Sequence, residues 1–214
     1  MSRRDRPEHQ RQGAEQPHRP APAEQREQRP LDGPRIYVAS LTDYNAGILH
    51  GTWVAADLGV EVMTEAIDEM LAASPSMARY GDVAEEWRID DVDGWGRHLH
   101  ISEYESLESI ARLAEGISEH GDAFGAWAEL CGHDEPDELD RFGEAYLGEF
   151  TSLETYAEQF VEELGIDIDE LAMALPESLR PHLQLDLAGW ARDLELSGDV
   201  TTFESPGGLY VFTN

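Results

Sequence analysis

Arg35-Ile-Tyr-Val-Ala-Ser-Leu-Thr-Asp-Tyr-Asn-Ala-Gly-Ile-Leu-His-Gly-Thr-Trp-Val-Ala55 is the stretch from which the fold is read. Its first seven residues make a short apolar strand that runs into the turn-prone Thr42-Asp43-Tyr44-Asn45-Ala46-Gly47. A second extended piece is expected over residues 48–55. Beyond it, Met63, Ala66, Ile67, Met70 and Leu71 recur at helical spacing within residues 62–73, and the pattern stops before Ser74-Pro75. Residues 86–92 alternate Trp87 and Ile89 with acids and read as a third strand. Together these elements predict a small α/β module that closes near Glu103.

Upstream, residues 1–33 are Pro, Gln, Arg and Glu almost throughout, with no aromatic and a lone Leu31. Such a stretch cannot bury enough apolar surface to offset chain entropy, so a disordered tail is expected. Downstream, the pattern turns helical. Leu107, Ile110, Ala111, Ala114 and Ile117 form one stripe, with Ser106 as N-cap and Glu108 in the first turn. Two further helices are expected over residues 124–130 and 138–146, around an acidic loop at 132–137. The clearest helix spans 152–164, with Leu153, Tyr156, Ala157, Phe160, Val161 and Leu164 on its apolar face and Gly165 as its stop. Shorter helical stretches are expected at 176–183 and 186–196, and residues 200–204 and 209–212 read as a β-hairpin around Ser205-Pro206-Gly207-Gly208. The expected class is therefore α+β.

One internal echo stands out: Glu103-Tyr-Glu-Ser-Leu-Glu108 and Glu149-Phe-Thr-Ser-Leu-Glu154. Two copies fall short of a solenoid array. They read either as two helices with similar starts or as paired modules that present acids at a regular interval.

Several function classes find little support in the residues. The single cysteine, Cys131, excludes an intrachain disulfide framework and suits a reducing cytosol. No apolar run approaches the roughly 18 residues of a membrane span, so a soluble cytoplasmic protein is expected. His98, His100, Cys131 and His133 lack the Cys-x-x-Cys or His-Glu-x-x-His frameworks of zinc sites. Asp90-Asp91-Val92-Asp93-Gly94 resembles part of a calcium loop, but its first and twelfth positions would be Ile89 and His100. A chain without lysine has no P-loop. No catalytic residue, cofactor or metal is expected, and Cys131 reads as a small apolar filler.

The charge is more informative. The 214 residues hold 45 acids against 15 basic residues, all arginine, for a net charge of -30. Eight of the arginines lie within the first 35 residues, so the remainder carries a net -32. Such a body repels nucleic acid and membrane surfaces and attracts basic proteins. The placement of the acids is also costly. Glu154, Glu158 and Glu162 lie four residues apart on one helix face, with no base in that helix, where each like-charge pair costs roughly 0.2 to 0.5 kcal/mol. Glu115 and Glu119 repeat the arrangement, whereas Glu108 with Arg112 has the i to i+4 spacing of a stabilising pair. Three explanations compete: salt-adapted acidity in a generic interaction domain, a multi-site cation binder, and imitation of a polyanion. In the last, carboxylates stand in for duplex phosphates, which occur once per about 1.7 Å of axis.

Tyr44-Asn45-x-Gly47, Gly51-x-Trp53, Glu86-Trp-Arg-Ile-Asp-Asp91, Glu103-Tyr-Glu-Ser-Leu107 and Arg192-Asp193-Leu-x-Leu-Ser-Gly198, in that order, resemble the ArdA antirestriction proteins over residues 35–214. The resemblance implies a DNA mimic that inhibits Type I restriction-modification enzymes by occupying the DNA-binding groove of the methylase core, with no cofactor. It also implies an elongated, curved homodimer of three small domains per chain, at about 34–103, 104–143 and 144–214, paired through the third. The family's short antirestriction motif would fall around residues 174–187. The carboxylates selected as phosphate mimics are Glu85, Asp90, Asp91, Asp93, Glu108, Glu115, Glu119, Asp122, Glu154, Glu158, Glu162, Asp167 and Glu170. Tyr44, Asn45, Gly47, His50 and Trp53 read as turn and core determinants that shape the surface carrying those charges.

Overall fold

The computed structural model describes residues 33–133 and 136–214. Residues 1–32 of the expected disordered tail lie outside the described residues, as do Asp134 and Glu135 of the acidic loop. The first sheet is built from β1 (Arg35–Ser40), β2 (Gly51–Ala55) and β3 (Trp87–Asp93), in the order β2-β1-β3 and antiparallel throughout. Alternation along β1 turns Ile36 and Val38 fully inward, while Tyr37 lies between Trp53 on one side and Asp91 on the other. A register shift between Tyr37 and Val38 leaves Asp90 outside the ladder.

Leu41, expected to end the first strand, and residues 42–45, expected as a turn, form a short helix, α1 (Leu41–Asn45). Ser40 caps it by accepting from the Asp43 N–H at 3.2 Å, and Gly47 ends the turn at φ 76°. The second extended piece is correspondingly shorter than expected and begins at Gly51. Only glycine fits there, because a Cβ would meet the Val38 carbonyl and the Tyr37 hydroxyl.

The inner face of this sheet is covered by α2 (Val60–Ala72), whose Met63, Ile67, Met70 and Leu71 are buried. Ser74-Pro75 stops α2 as expected, but it also starts another helix, α3 (Pro75–Tyr80). The Ser74 hydroxyl accepts from the Met77 N–H, and Pro75 occupies a position where no N–H is needed. Next come α4 (Leu107–His120) and α5 (Asp122–Cys131), with Ser106 capping α4 through the Ser109 N–H at 3.1 Å.

The helix expected over 138–146 is instead α6 (Pro136–Leu139), α7 (Phe142–Ala145) and the start of a strand, β4 (Tyr146–Phe150). The strand follows a period of two: Tyr146, Gly148 and Phe150 are half-buried, and Leu147 and Glu149 are exposed. It pairs with β6 (Gly208–Thr213), which also pairs with β5 (Val200–Ser205), giving a second antiparallel sheet in the order β4-β6-β5.

Between β4 and β5 lie α8 (Leu153–Glu163), α9 (Ile168–Met173), a 3-10 turn at Arg180–His182 and α10 (Leu187–Ser197). The helix expected over 176–183 shrinks to that turn, since Pro181 removes a helical donor and disfavours helical backbone before it. In contrast, α9 was not expected from the sequence. It starts where the Asp167 carboxylate accepts from the Asp169 and Glu170 N–H groups at 2.9 and 3.1 Å.

One contiguous buried cluster runs from Ile36 through α2, α4 and α5 to Tyr210 and Phe212 on the second sheet. Aromatic rings dominate its far end: Phe142 lies 5.1 Å from Tyr146 and 5.5 Å from Phe124, and Trp127 lies 5.7 Å from Phe212. The buried indole N–H groups are satisfied, Trp127 donating to the Glu138 carbonyl and Trp95 to that of Arg35. Val211, on the opposite face of β6, is also fully buried, and α8 and α10 pack against each other and against β4 and β5. The architecture is α+β, two small antiparallel sheets with helices.

Candidate functional site

Three helices carry runs of exposed acid: α2, with Glu61, Glu65, Asp68 and Glu69, which were not selected from the sequence, and α8 and α4, which carry selected ones. On α8, Glu154, Glu158 and Glu162 are all exposed, because Ala157 is the residue that helix buries. The Ser152 hydroxyl accepts from the Thr155 N–H at 3.2 Å, as Ser106 does for α4, so the internal echo consists of two helix starts with the same cap. On α4, the inward side is Ile110, Leu113, Ala114 and Gly116, which leaves Glu108, Glu115 and Glu119 facing solvent.

Glu115 and Glu119 do not stand alone. They share a cleft of about 690 Å³ with Arg112 of the same helix and with Asp57 and Leu58 from the turn after β2. An adjoining cleft of about 300 Å³ adds Asp140 from the turn after α6. Asp57 and Asp140 are not among the carboxylates selected from the sequence, since only the packing of the β2–α2 turn and of α6 against α4 brings them there. Glu108 lines a separate cleft with Glu103, Glu105 and Tyr104. Glu85, Asp91 and Glu170 are exposed on other elements, so the selected acids are spread over the surface and form no single cluster.

Arginines determine which acids remain unneutralised. Asp93 pairs with Arg35 at 2.6 Å, Asp90 with Arg88 at 2.5 Å, and Asp122 with Arg97 at 3.6 Å. Arg35 also stacks over Trp53, and Arg88 over Tyr44, which places Trp53 and Tyr44 in the local packing of the first sheet. Burial alone would lower the Arg88 basicity, but the adjacent Asp90 and Glu103 outweigh it and hold the guanidinium more firmly charged. Arg112 does not pair with Glu108 as its spacing suggested. Its guanidinium instead reaches across to Asp140 at 3.3 Å and the Pro136 carbonyl at 3.1 Å, tying α4 to α6. Arg180 donates to the carbonyls of Met173 and Leu175 beyond α9. These cations serve local structure, and none of them pairs with the α8 ladder; on α4, Arg112 lines the clefts of Glu115 and Glu119, and His120 lies 3.9 Å from Glu119.

The groups that raised metal chemistry are engaged elsewhere. The His98 Nε2–H donates to the Glu204 carbonyl at 2.6 Å, His133 lies 3.4 Å from Glu105, and the His100 N–H donates to Glu129. Burial pushes the Cys131 thiol up, which makes it a poorer nucleophile. Asp90, Asp91 and Asp93 lie in the extended β3 rather than in a loop. Among the described residues, no group of three or more His, Cys, Asp or Glu side chains could hold a metal ion.

The acid most changed by its environment is one the sequence did not mark. Asp43 is fully buried. Burial by itself would raise its pKa, but hydrogen bonds from Ser40, Ser76 and Ser74 overcome that and hold the carboxyl well below the usual carboxylate range. It shapes the surface from beneath. The available signal was Ser40-x-x-Asp43, the start of a capped helix.

Comparison with known protein families matches residues 36–207 to the family described as antirestriction protein (ArdA). No curated protein matches the chain.

Proposed function

The chain belongs to the ArdA family of antirestriction proteins, and on that premise we propose that it inhibits a Type I restriction-modification enzyme by imitating duplex DNA. In this reading its carboxylates enter the basic DNA-binding groove of the methylase core and exclude DNA by competition. It acts as a stoichiometric inhibitor and not as a catalyst, in the cytoplasm, without binding nucleic acid or membrane. No helix among the described residues is long and apolar enough to cross a membrane.

The observation that carries this reading is the pairing pattern of the arginines. The chain from Arg35 onward, of net -31, places Arg35, Arg88, Arg97 and Arg112 in local ion pairs and leaves Glu115 on α4 and Glu154, Glu158 and Glu162 on α8 exposed without an ion-pair partner among the described residues. Those same-sign ladders lower helix stability, so a role in recognition accounts for them better than a role in folding. The three units at 34–103, 104–143 and 144–214 belong to the same proposal, each presenting part of the charge, with two copies paired through the last.

The test is inhibition of a purified Type I methyltransferase. Inhibition is expected to be stoichiometric, to be relieved by added duplex DNA, and to weaken as salt rises, because groove and mimic attract through screened charges. Inhibition indifferent to competitor DNA would overturn the mimicry.

A further inference from the structure

Tyr104 is the most exposed aromatic residue among the described residues, at 69%. The other exposed tyrosines each carry a guanidinium on the ring, Arg88 over Tyr44 at 4.8 Å and Arg79 over Tyr80 at 5.2 Å. Among the described residues, neither a guanidinium nor a second ring stacks on Tyr104. The turn that displays it is anchored on both sides. Within the turn, the Glu105 N–H donates to the Ser102 carbonyl at 3.2 Å and the Tyr104 N–H to the Ser102 hydroxyl at 3.4 Å. Before the ring, the Glu103 carbonyl accepts from the Ile89 N–H of β3 at 2.9 Å; after it, the Ser106 hydroxyl caps α4. Glu103 and Glu108, both exposed, line a cleft of about 340 Å³ with Tyr104, to which Trp87 and Val60 add apolar walls. Glu103 lies 3.5 Å from Arg88, and Glu105 is turned to His133.

We infer that Tyr104 imitates a base: its ring enters the pocket in which the methyltransferase receives the nucleotide it extrudes from the duplex, with Glu103 and Glu108 in the place of nearby phosphates. The inference rests on the mimicry of the proposed function and adds a contact that carboxylates do not make. An enzyme that modifies a base takes it out of the stack and holds it between aromatic and apolar side chains. Apolar walls penalise a charge, so acids serve the groove and leave such a pocket unfilled. A tyrosine ring brings a flat face, apolar area and a polar edge in its hydroxyl. Because the turn is held between β3 and α4, little order is lost when the ring is bound.

A guanidinium of the enzyme stacked on Tyr104 is the competing contact. It needs one face of the ring, as Arg88 and Arg79 take one face of Tyr44 and Tyr80. A pocket takes most of the side chain, and most of Tyr104 is bare. Salt tells the two apart. A guanidinium between the ring and the carboxylates of Glu103 and Glu108 is a screened charge contact, whereas stacking inside an apolar pocket is not.

The experiment measures inhibition of a purified Type I methyltransferase by the full chain, by Tyr104→Ala and by Tyr104→Phe across a salt series, with thermal melts of all three to show that they are folded alike. Tyr104→Ala is expected to weaken inhibition about tenfold or more, the scale of one base stacked on an aromatic side chain, and by a factor that stays constant as salt rises. Tyr104→Phe should keep most of the inhibition. A second arm replaces by alanine the methyltransferase aromatic that stacks on the extruded base, and the loss from Tyr104→Ala should then largely disappear. Undiminished inhibition by Tyr104→Ala, a factor that shrinks with salt, a Tyr104→Phe chain as weak as Tyr104→Ala, or additive losses in the second arm would each overturn the inference. The two readings fail separately. A parent chain that is relieved by competitor DNA but matched by Tyr104→Ala removes this inference alone, whereas a parent that does not inhibit, or that ignores competitor DNA, removes the mimicry and this inference with it.

Discussion

The backbone N–H of Ser76 donates to Oδ1 of Asp43 at 2.8 Å across 33 positions of chain, and the Ser74 hydroxyl donates to the same oxygen at 3.0 Å. A fully buried carboxylate in this position joins α1, at the end of the central strand of the first sheet, to α3, after the helix that covers that sheet. Its charge is kept because three serines surround it.

Asp43→Ala is expected to destabilise the protein by about 1 to 3 kcal/mol, since the buried Ser74 hydroxyl and Ser76 N–H lose their acceptor. Chemical denaturation at neutral pH measures this. The pH dependence has a definite sign. The folded pKa lies below the ordinary value of 3.8, so the stabilisation is complete above 3.8 and is lost as pH falls through the folded value. Asp43→Asn should remove that part of the acid sensitivity, and an unchanged acid-unfolding profile in the variant would refute the assignment.

Gly116→Ala tests how closely α4 meets α5. A Cβ at Gly116 would clash with the edge of the Phe124 ring. Helix propensity favours alanine by about 1 kcal/mol, whereas overpacking a tight core costs about 1 to 3 kcal/mol. Packing is expected to win, so the variant should melt several degrees lower. A higher melting temperature would show that the ring moves aside freely.

Neutralising the α8 ladder, Glu154→Gln with Glu158→Gln and Glu162→Gln, should move stability and function in opposite directions. Two like-charge pairs disappear, raising stability by about 0.4 to 1 kcal/mol, while inhibition of methylation weakens. Each single substitution should change inhibition little, because an exposed carboxylate contributes only about 0 to 1 kcal/mol to a solvated interface. A triple variant that inhibits as well as the parent would place the contact surface elsewhere.

Low salt separates mimicry from salt-adapted acidity. A protein whose acids serve salt adaptation should unfold as salt is withdrawn, whereas this one, with its core running from Ile36 to Phe212, should still unfold in a single cooperative step at low ionic strength. Thermal melts followed by circular dichroism at two ionic strengths provide the comparison.

Elements with a strong local pattern were legible in the sequence. The β1 strand, the helices α2, α4, α8 and α10 and the terminal hairpin all occur close to where periodicity and caps placed them, and Ser106 and Ser152 cap as their positions suggested. Short elements were less legible. β4 looked like the end of a helix because Phe142, Ala145 and Tyr146 fit a helical spacing, and only pairing with β6, some 60 positions away, favours the strand. Asp43 read as a turn residue because its burial depends on Ser74 and Ser76, which arrive from beyond α2.

The sequence by itself determined the α+β class, the family and the one-sided charge, because composition, periodicity and motif order are local properties of the chain. Only the tertiary structure decided which charges remain unpaired. Arg112 chose Asp140 over the neighbour four residues away, Arg35 chose Asp93 across two strands, and Asp57 joined Glu115 and Glu119 at one cleft. The reason is that ion pairing follows distance in space and the local dielectric, which packing sets and sequence separation does not.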